Sequence, residues 1–139
     1  MAIDSLKFDN RNIKSLPVET KPGPIVSRQV PNAIFAIVEP TSCTAPQLMS
    51  FSEEALALLG LDPVTCGKSE ASRKALAEYL SGNAIIPGSR PAAHCYCGHQ
   101  FGSFAGQLGD GATMYLGEVI HPLTGQRWEL QLKGTFVRS

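Results

Sequence analysis

The chain has 139 residues, enough for one domain with a core of its own. Its 43% hydrophobic and 17% charged residues exclude a typical disordered segment and a membrane-protein composition. Twelve Lys and Arg balance twelve Asp and Glu, so no net positive charge marks nucleic acid or an anionic membrane as a partner.

The opening stretch, MAIDSLKFDN, carries Asp4 and Asp9 and no apolar run, so it reads as neither a secretory signal nor an Arg-rich, acid-poor transit peptide. Residues 1–32 are polar and broken by Pro17, Pro22, Pro24 and Pro31. They are expected to run extended, wrapping over a surface or reaching toward a partner. Residues 33–38, AIFAIV, read as a short buried strand closed by Glu39-Pro40. This apolar run falls far short of the ~18 residues a membrane-spanning helix needs. A helix is expected next, capped by Ser50 with Glu53 at the capping-box position and Leu56 and Leu59 on one face. Gly60 and Pro63 supply its stop signals. A second helix starts near Ser69, carries Ala75, Leu76, Tyr79 and Leu80 at helical spacing, and ends at Gly82.

Beyond Gly82 the composition changes. Residues 98–111, GHQFGSFAGQLGDG, hold five glycines, and no Lys or Arg occurs between Pro91 and Gln126. TMYLGEVI (113–120) reads as a strand, His121–Gly125 as a turn, and RWELQLK (127–133) as an alternating strand. Trp128, Leu130 and Leu132 fall on one face of that strand, with Arg127, Glu129, Gln131 and Lys133 on the other. A glycine loop frees backbone N–H groups to cradle phosphate, and a lysine ending the neighbouring strand supplies a compact positive charge. The order resembles the protein-kinase glycine loop and strand lysine. It lacks a full signature: the third glycine counted from Gly109 would fall at Met114, and no Gly-Lys-Ser/Thr follows. Asp110-Gly111 equally fits a plain hairpin turn with an exposed, inactive lysine.

The four cysteines, Cys43, Cys66, Cys95 and Cys97, are expected to be reduced thiols. His94, Cys95, Cys97 and His99 could contribute to a zinc site. The C-x-C spacing and the lack of a second ligand pair favour buried thiols beside a hydrogen-bonded His.

At these residues the chain resembles the selenoprotein O family. The matching blocks are FDN (8–10), LP (16–17), VPNAIF (30–35), SEEALALLGL (52–61) and SGN (81–83). PAAHCYCGHQFGSFAGQLGDGATMYLGEV (91–119) and RWELQLKG (127–134) complete the match. The resemblance implies an α+β architecture, the N-terminal part of a protein-kinase-like fold with a Gly-rich loop, antiparallel strands and short helices. On this reading 1–32 is an extended segment, 33–134 a partial nucleotide-binding lobe and 135–139 a divergent, truncated tail. It implies a protein adenylyltransferase that moves AMP from ATP onto Ser, Thr or Tyr hydroxyls of proteins, with the nucleotide flipped relative to kinases. Carried over, Gly109, Asp110 and Gly111 bind the nucleotide and Lys133 its phosphates, while Ala112 stands where many members have an arginine. The catalytic aspartate and the Mg²⁺ ligands of the family lie beyond the LKG block. The piece is therefore expected to hold no catalytic or metal-binding residue and to be inactive alone. Its expected partners are ATP and protein substrates, with no nucleic acid or membrane. The implied location is the mitochondrion for a eukaryotic protein, otherwise the cytoplasm. A non-catalytic interaction fragment and a small Cys/His metal protein are the competing readings.

Overall fold

The computed structural model describes residues 2–20, 29–108 and 113–134. Within them the architecture is α+β. A 3-10 turn at Ile3–Ser5 leads into a short helix, α1 (Arg11–Ser15), and a two-residue strand, β1 (Val18–Glu19). The first residues, expected to run extended, thus carry local structure. Ile3, Leu6 and Ile13 are buried, which ties this segment to the body of the fold.

Strand β2 (Phe35–Ile37) forms within the AIFAIV run, but Ile34 and Ile37 are exposed while Phe35 and Ala36 are buried. Helix α2 (Glu53–Leu58) is capped by Ser52, whose hydroxyl accepts from the Ala55 N–H, rather than by Ser50. Ser52 places its oxygen at the geometry a β-region N-cap requires. Pro63, read as a stop, instead opens a helix, α3 (Pro63–Gly67), capped by Asp62. Proline suits a first helical position because its missing N–H would have had no intrahelical partner. Helix α4 (Glu70–Leu80) is capped by Ser69 as expected, in a capping box closed by Ser72.

Five strands form one sheet in the order β1-β2-β3-β6-β7, where β3 is Ala92–His94, β6 is Thr113–Ile120 and β7 is Arg127–Lys133. The first pair is parallel and the rest antiparallel. Two further strands, β4 (Tyr96–Gln100) and β5 (Ser103–Leu108), pair only with each other among the described residues. The stretch expected as a glycine loop therefore contains a hairpin. Its two-residue tip, Phe101-Gly102, takes positive φ at both positions (51° and 84°), the geometry that matches strand twist.

The core lies on the sheet face that carries Met114, Leu116, Val119 and Leu132, against Leu56, Leu61, Cys66 and Leu76 from the helices. Trp128 and Leu130 pack partly buried against it, so the alternation of β7 points its apolar side inward. On the opposite face a smaller cluster joins Ile13, Phe35, Ala92 and Tyr115.

Candidate functional site

The polar side of β7 is where chemistry can collect. Arg127, Glu129, Gln131 and Lys133 lie along it, and residues from other elements engage the first three in turn. Arg127 donates to the carboxylate of Asp9. This guanidinium holds the Asp9 carboxyl below its ordinary value. Glu129 accepts from Asn12 Nδ2 at 2.8 Å through one oxygen and from Gln131 Nε2 through the other. Gln131 Nε2 also lies 3.5 Å from His94 Nε2 on β3, which stands 3.9 Å from Glu129. Lys133 is exposed and has no hydrogen-bond or ion-pair partner among the described residues.

Buried polar groups on β6 anchor the same network from beneath. Glu118 is only 1% exposed. Its carboxylate accepts from the Asn12 N–H at 2.9 Å and from the Tyr115 hydroxyl. Burial, and then this carboxylate, push the Tyr115 hydroxyl well above its ordinary value, so it stays a neutral donor. The Asp9 N–H donates to the Glu118 carbonyl at 3.0 Å, and Phe8 bridges Val119. Asn10 Nδ2 donates to the Gly88 carbonyl at 2.8 Å.

This seating requires Gly117. Its φ is +141°, and an added Cβ would lie 2.3 Å from Asn10 Oδ1 and 2.5 Å from Phe8 Cδ1. The β-bulge between Tyr115 and Gly117 lets β6 accommodate the approach. The FDN block thus has a structural role that its own sequence does not reveal. Its partners are about a hundred residues away, and the only local signal is polar residues alternating on a strand.

Of the expected site residues, Lys133 ends β7 opposite Thr113. Gly109, Asp110 and Gly111 lie outside the described residues. In the chain, Gly111 comes two residues before Thr113. Cys95 and Cys97 are not the core thiols expected: Cys95 is half-buried and Cys97 exposed, because they stand at the edge of the outlying hairpin. Cys66 is the buried one, and burial raises its thiol. Among the described residues no group of three His, Cys, Asp or Glu side chains could hold a metal ion. A surface cleft of about 700 Å³ beside Leu48, Ser69 and Arg73 contains none of the expected site residues. No helix among the described residues is long and apolar enough to cross a membrane.

Comparison with known proteins shows the family of the chain. The family described as protein adenylyltransferase SelO matches residues 24–137, most of the chain. The chain belongs to this family. It is 57% identical over 134 residues to the human protein adenylyltransferase SelO, mitochondrial, a match covering 93% of this chain and 19% of that protein. The mouse protein of the same name is likewise 57% identical, with 20% of its length covered. The protein nucleotidyltransferase YdiU of Azoarcus is 47% identical over 129 residues, covering 93% of this chain and 24% of the relative. The chain spans about a fifth to a quarter of the length of these relatives.

Proposed function

We propose that this chain contributes the nucleotide-holding part of a kinase-like protein adenylyltransferase, which transfers AMP from ATP to Ser, Thr or Tyr hydroxyls of proteins. In that reaction the acceptor oxygen bonds to the α-phosphorus, the bond to the bridging oxygen of pyrophosphate breaks, and the hydroxyl gives up its proton. Lys133 supplies a point charge to the phosphates, and the backbone N–H groups of Gly109, Asp110 and Gly111 supply further donors. The carrying observation is the state of β7: three of its polar side chains are engaged, and the lysine at its end has no partner among the described residues. A cation on an ordered strand, with no acid partner among the described residues, is suited to an anionic ligand. The names of the human and mouse relatives support a mitochondrial location.

The test is transfer from ATP labelled on the α-phosphate, using the intact protein. Label should appear on protein hydroxyls, and Lys133→Ala should reduce transfer about tenfold or more, as for a lost charge-assisted contact. Transfer from γ-labelled ATP with none from α-labelled ATP would contradict adenylylation and make the reaction phosphoryl transfer.

A further inference from the structure

We infer that Asn12 and Glu129 are positioning residues for Lys133, and that residues 9–12 act as a clamp on the strand that carries it. The inference rests on the proposed role of Lys133 at the nucleotide. It adds the device that aims that lysine.

Strand β7 closes the described strand order and has one described neighbour, β6. Its backbone ladder to β6 fixes it along one edge, and side chains of its polar face tie it to the 9–12 segment. On the polar face those side chains are held in sequence. Asp9 takes Arg127, and Asn12 takes Glu129, which in turn takes Gln131. His94 approaches Gln131 from β3, two strands away. Lys133 is the next residue in that row, two positions on and on the same face. The clamp is itself anchored rather than merely laid over the surface. Asn12 uses both its backbone N–H, on buried Glu118, and its side-chain amide, on Glu129. One residue therefore spans β6 and β7. Asn10 fixes the same segment to the Gly88 carbonyl.

Glu129 is the hub. One carboxylate oxygen faces the clamp and the other faces the strand's own Gln131. Losing the Asn12 contact frees Glu129 to turn, and Gln131 loses its fixed acceptor. The lysine end of β7 then samples orientations in which the ammonium no longer meets the phosphates. The cost appears in nucleotide affinity, because a strand end already held in place binds with a smaller ordering penalty.

The polarity of the Asn12–Glu129 hydrogen bond gives a sharp test. Asn12→Asp sets two carboxylates face to face. Adding Glu129→Gln restores a donor–acceptor pair with its direction reversed. ATP affinity is measured by calorimetry on the intact protein for Asn12→Asp, the Asn12→Asp/Glu129→Gln double variant and Lys133→Ala, with thermal midpoints recorded alongside. The expected result is an about fivefold weaker affinity for Asn12→Asp, recovered to within about twofold in the double variant, the size of coupling contacting pairs show. A purely structural role would lower the midpoint of Asn12→Asp and leave the affinity of the folded fraction unchanged, which overturns the clamp. A weakened Asn12→Asp whose affinity the double variant does not recover also overturns it. If Lys133→Ala leaves ATP affinity unchanged, the nucleotide role of Lys133 fails and the clamp's purpose with it. Weakening by Lys133→Ala alone keeps that role and rejects only the clamp.

Discussion

Two antiparallel strand pairs in the second half of the chain, β6–β7 and β4–β5, have similar local character and different fates. Strand β6 is covered on both sides: the helices pack on one face, and α1 with the Asp9–Asn12 segment lies on the other, while β7 shares the helix-covered face and keeps its polar side open. The β4–β5 pair stands outside the five-stranded sheet, with Tyr96, Phe101 and Phe104 exposed. Its tip places Phe101 in left-handed backbone, fully open to solvent, where Asn or Gly would be easier. The contrast shows that strand formation and strand burial have separate causes. Alternation makes the strand, while burial of β6 on both faces depends on partners supplied by the helices on one side and by the start of the chain on the other.

The comparison can be broken most severely at the glycines. Gly117→Ala should destabilise the fold by about 3 kcal/mol, because its Cβ would meet Asn10 and Phe8 in backbone that already disfavours a side chain. Gly102→Ala at the hairpin tip meets nothing within 4 Å and should cost only about 1 kcal/mol of backbone strain. Chemical-denaturation midpoints for the two variants check the difference, and equal shifts would remove the distinction between the pairs.

Two tyrosines sharpen it next. Tyr115→Phe leaves a buried Glu118 oxygen without its donor and should cost about 2 kcal/mol. The Tyr96 hydroxyl donates to the His99 carbonyl at 2.7 Å in an exposed setting. There Tyr96→Phe should cost about 0.5 kcal/mol, since water replaces the donor. Thermal unfolding of both variants measures the gap.

Relief of strain should be visible on the hairpin alone. Phe101→Asn creates an Asn-Gly tip and should raise stability by about 1 kcal/mol or less, read as a small upward shift in the same melts. No gain in stability would show that the left-handed backbone at Phe101 carries no such strain.

The smallest effect concerns acid. Arg127 holds Asp9 below its ordinary value of 3.8, so the pair's contribution is present above that value. It is lost as pH falls through the lowered folded value. Because the pair is exposed, the contribution should be slight and should shrink further in high salt. Asp9→Asn should remove the corresponding part of the acid-side slope in a pH series of melts.

Features encoded by near neighbours in the chain were legible in the sequence. The Ser69 cap, the β6 span and the in–out alternation of β7 each depend on residues a few positions apart. Local signals failed where two neighbours offered the same chemistry. Ser50 and Ser52 are both competent caps, and Pro63 can stop one helix or begin another. The hairpin hid inside a glycine-rich run because Phe101 is an unusual turn residue. For the candidate site, the position of Lys133 at the end of a strand was legible from the alternation of β7. The Asn12–Glu129 contact was not, because it joins residues 117 positions apart.

The most direct measurement is lysine-reactive labelling of the intact protein, read by mass spectrometry with and without ATP. Lys133 is exposed and lacks a partner among the described residues, so it should label readily in the free protein. ATP should protect it strongly while leaving Lys68 and Lys74, beside the separate cleft, unchanged. Equal labelling of Lys133 in both conditions, at ATP concentrations that saturate the protein, would contradict its place at the nucleotide.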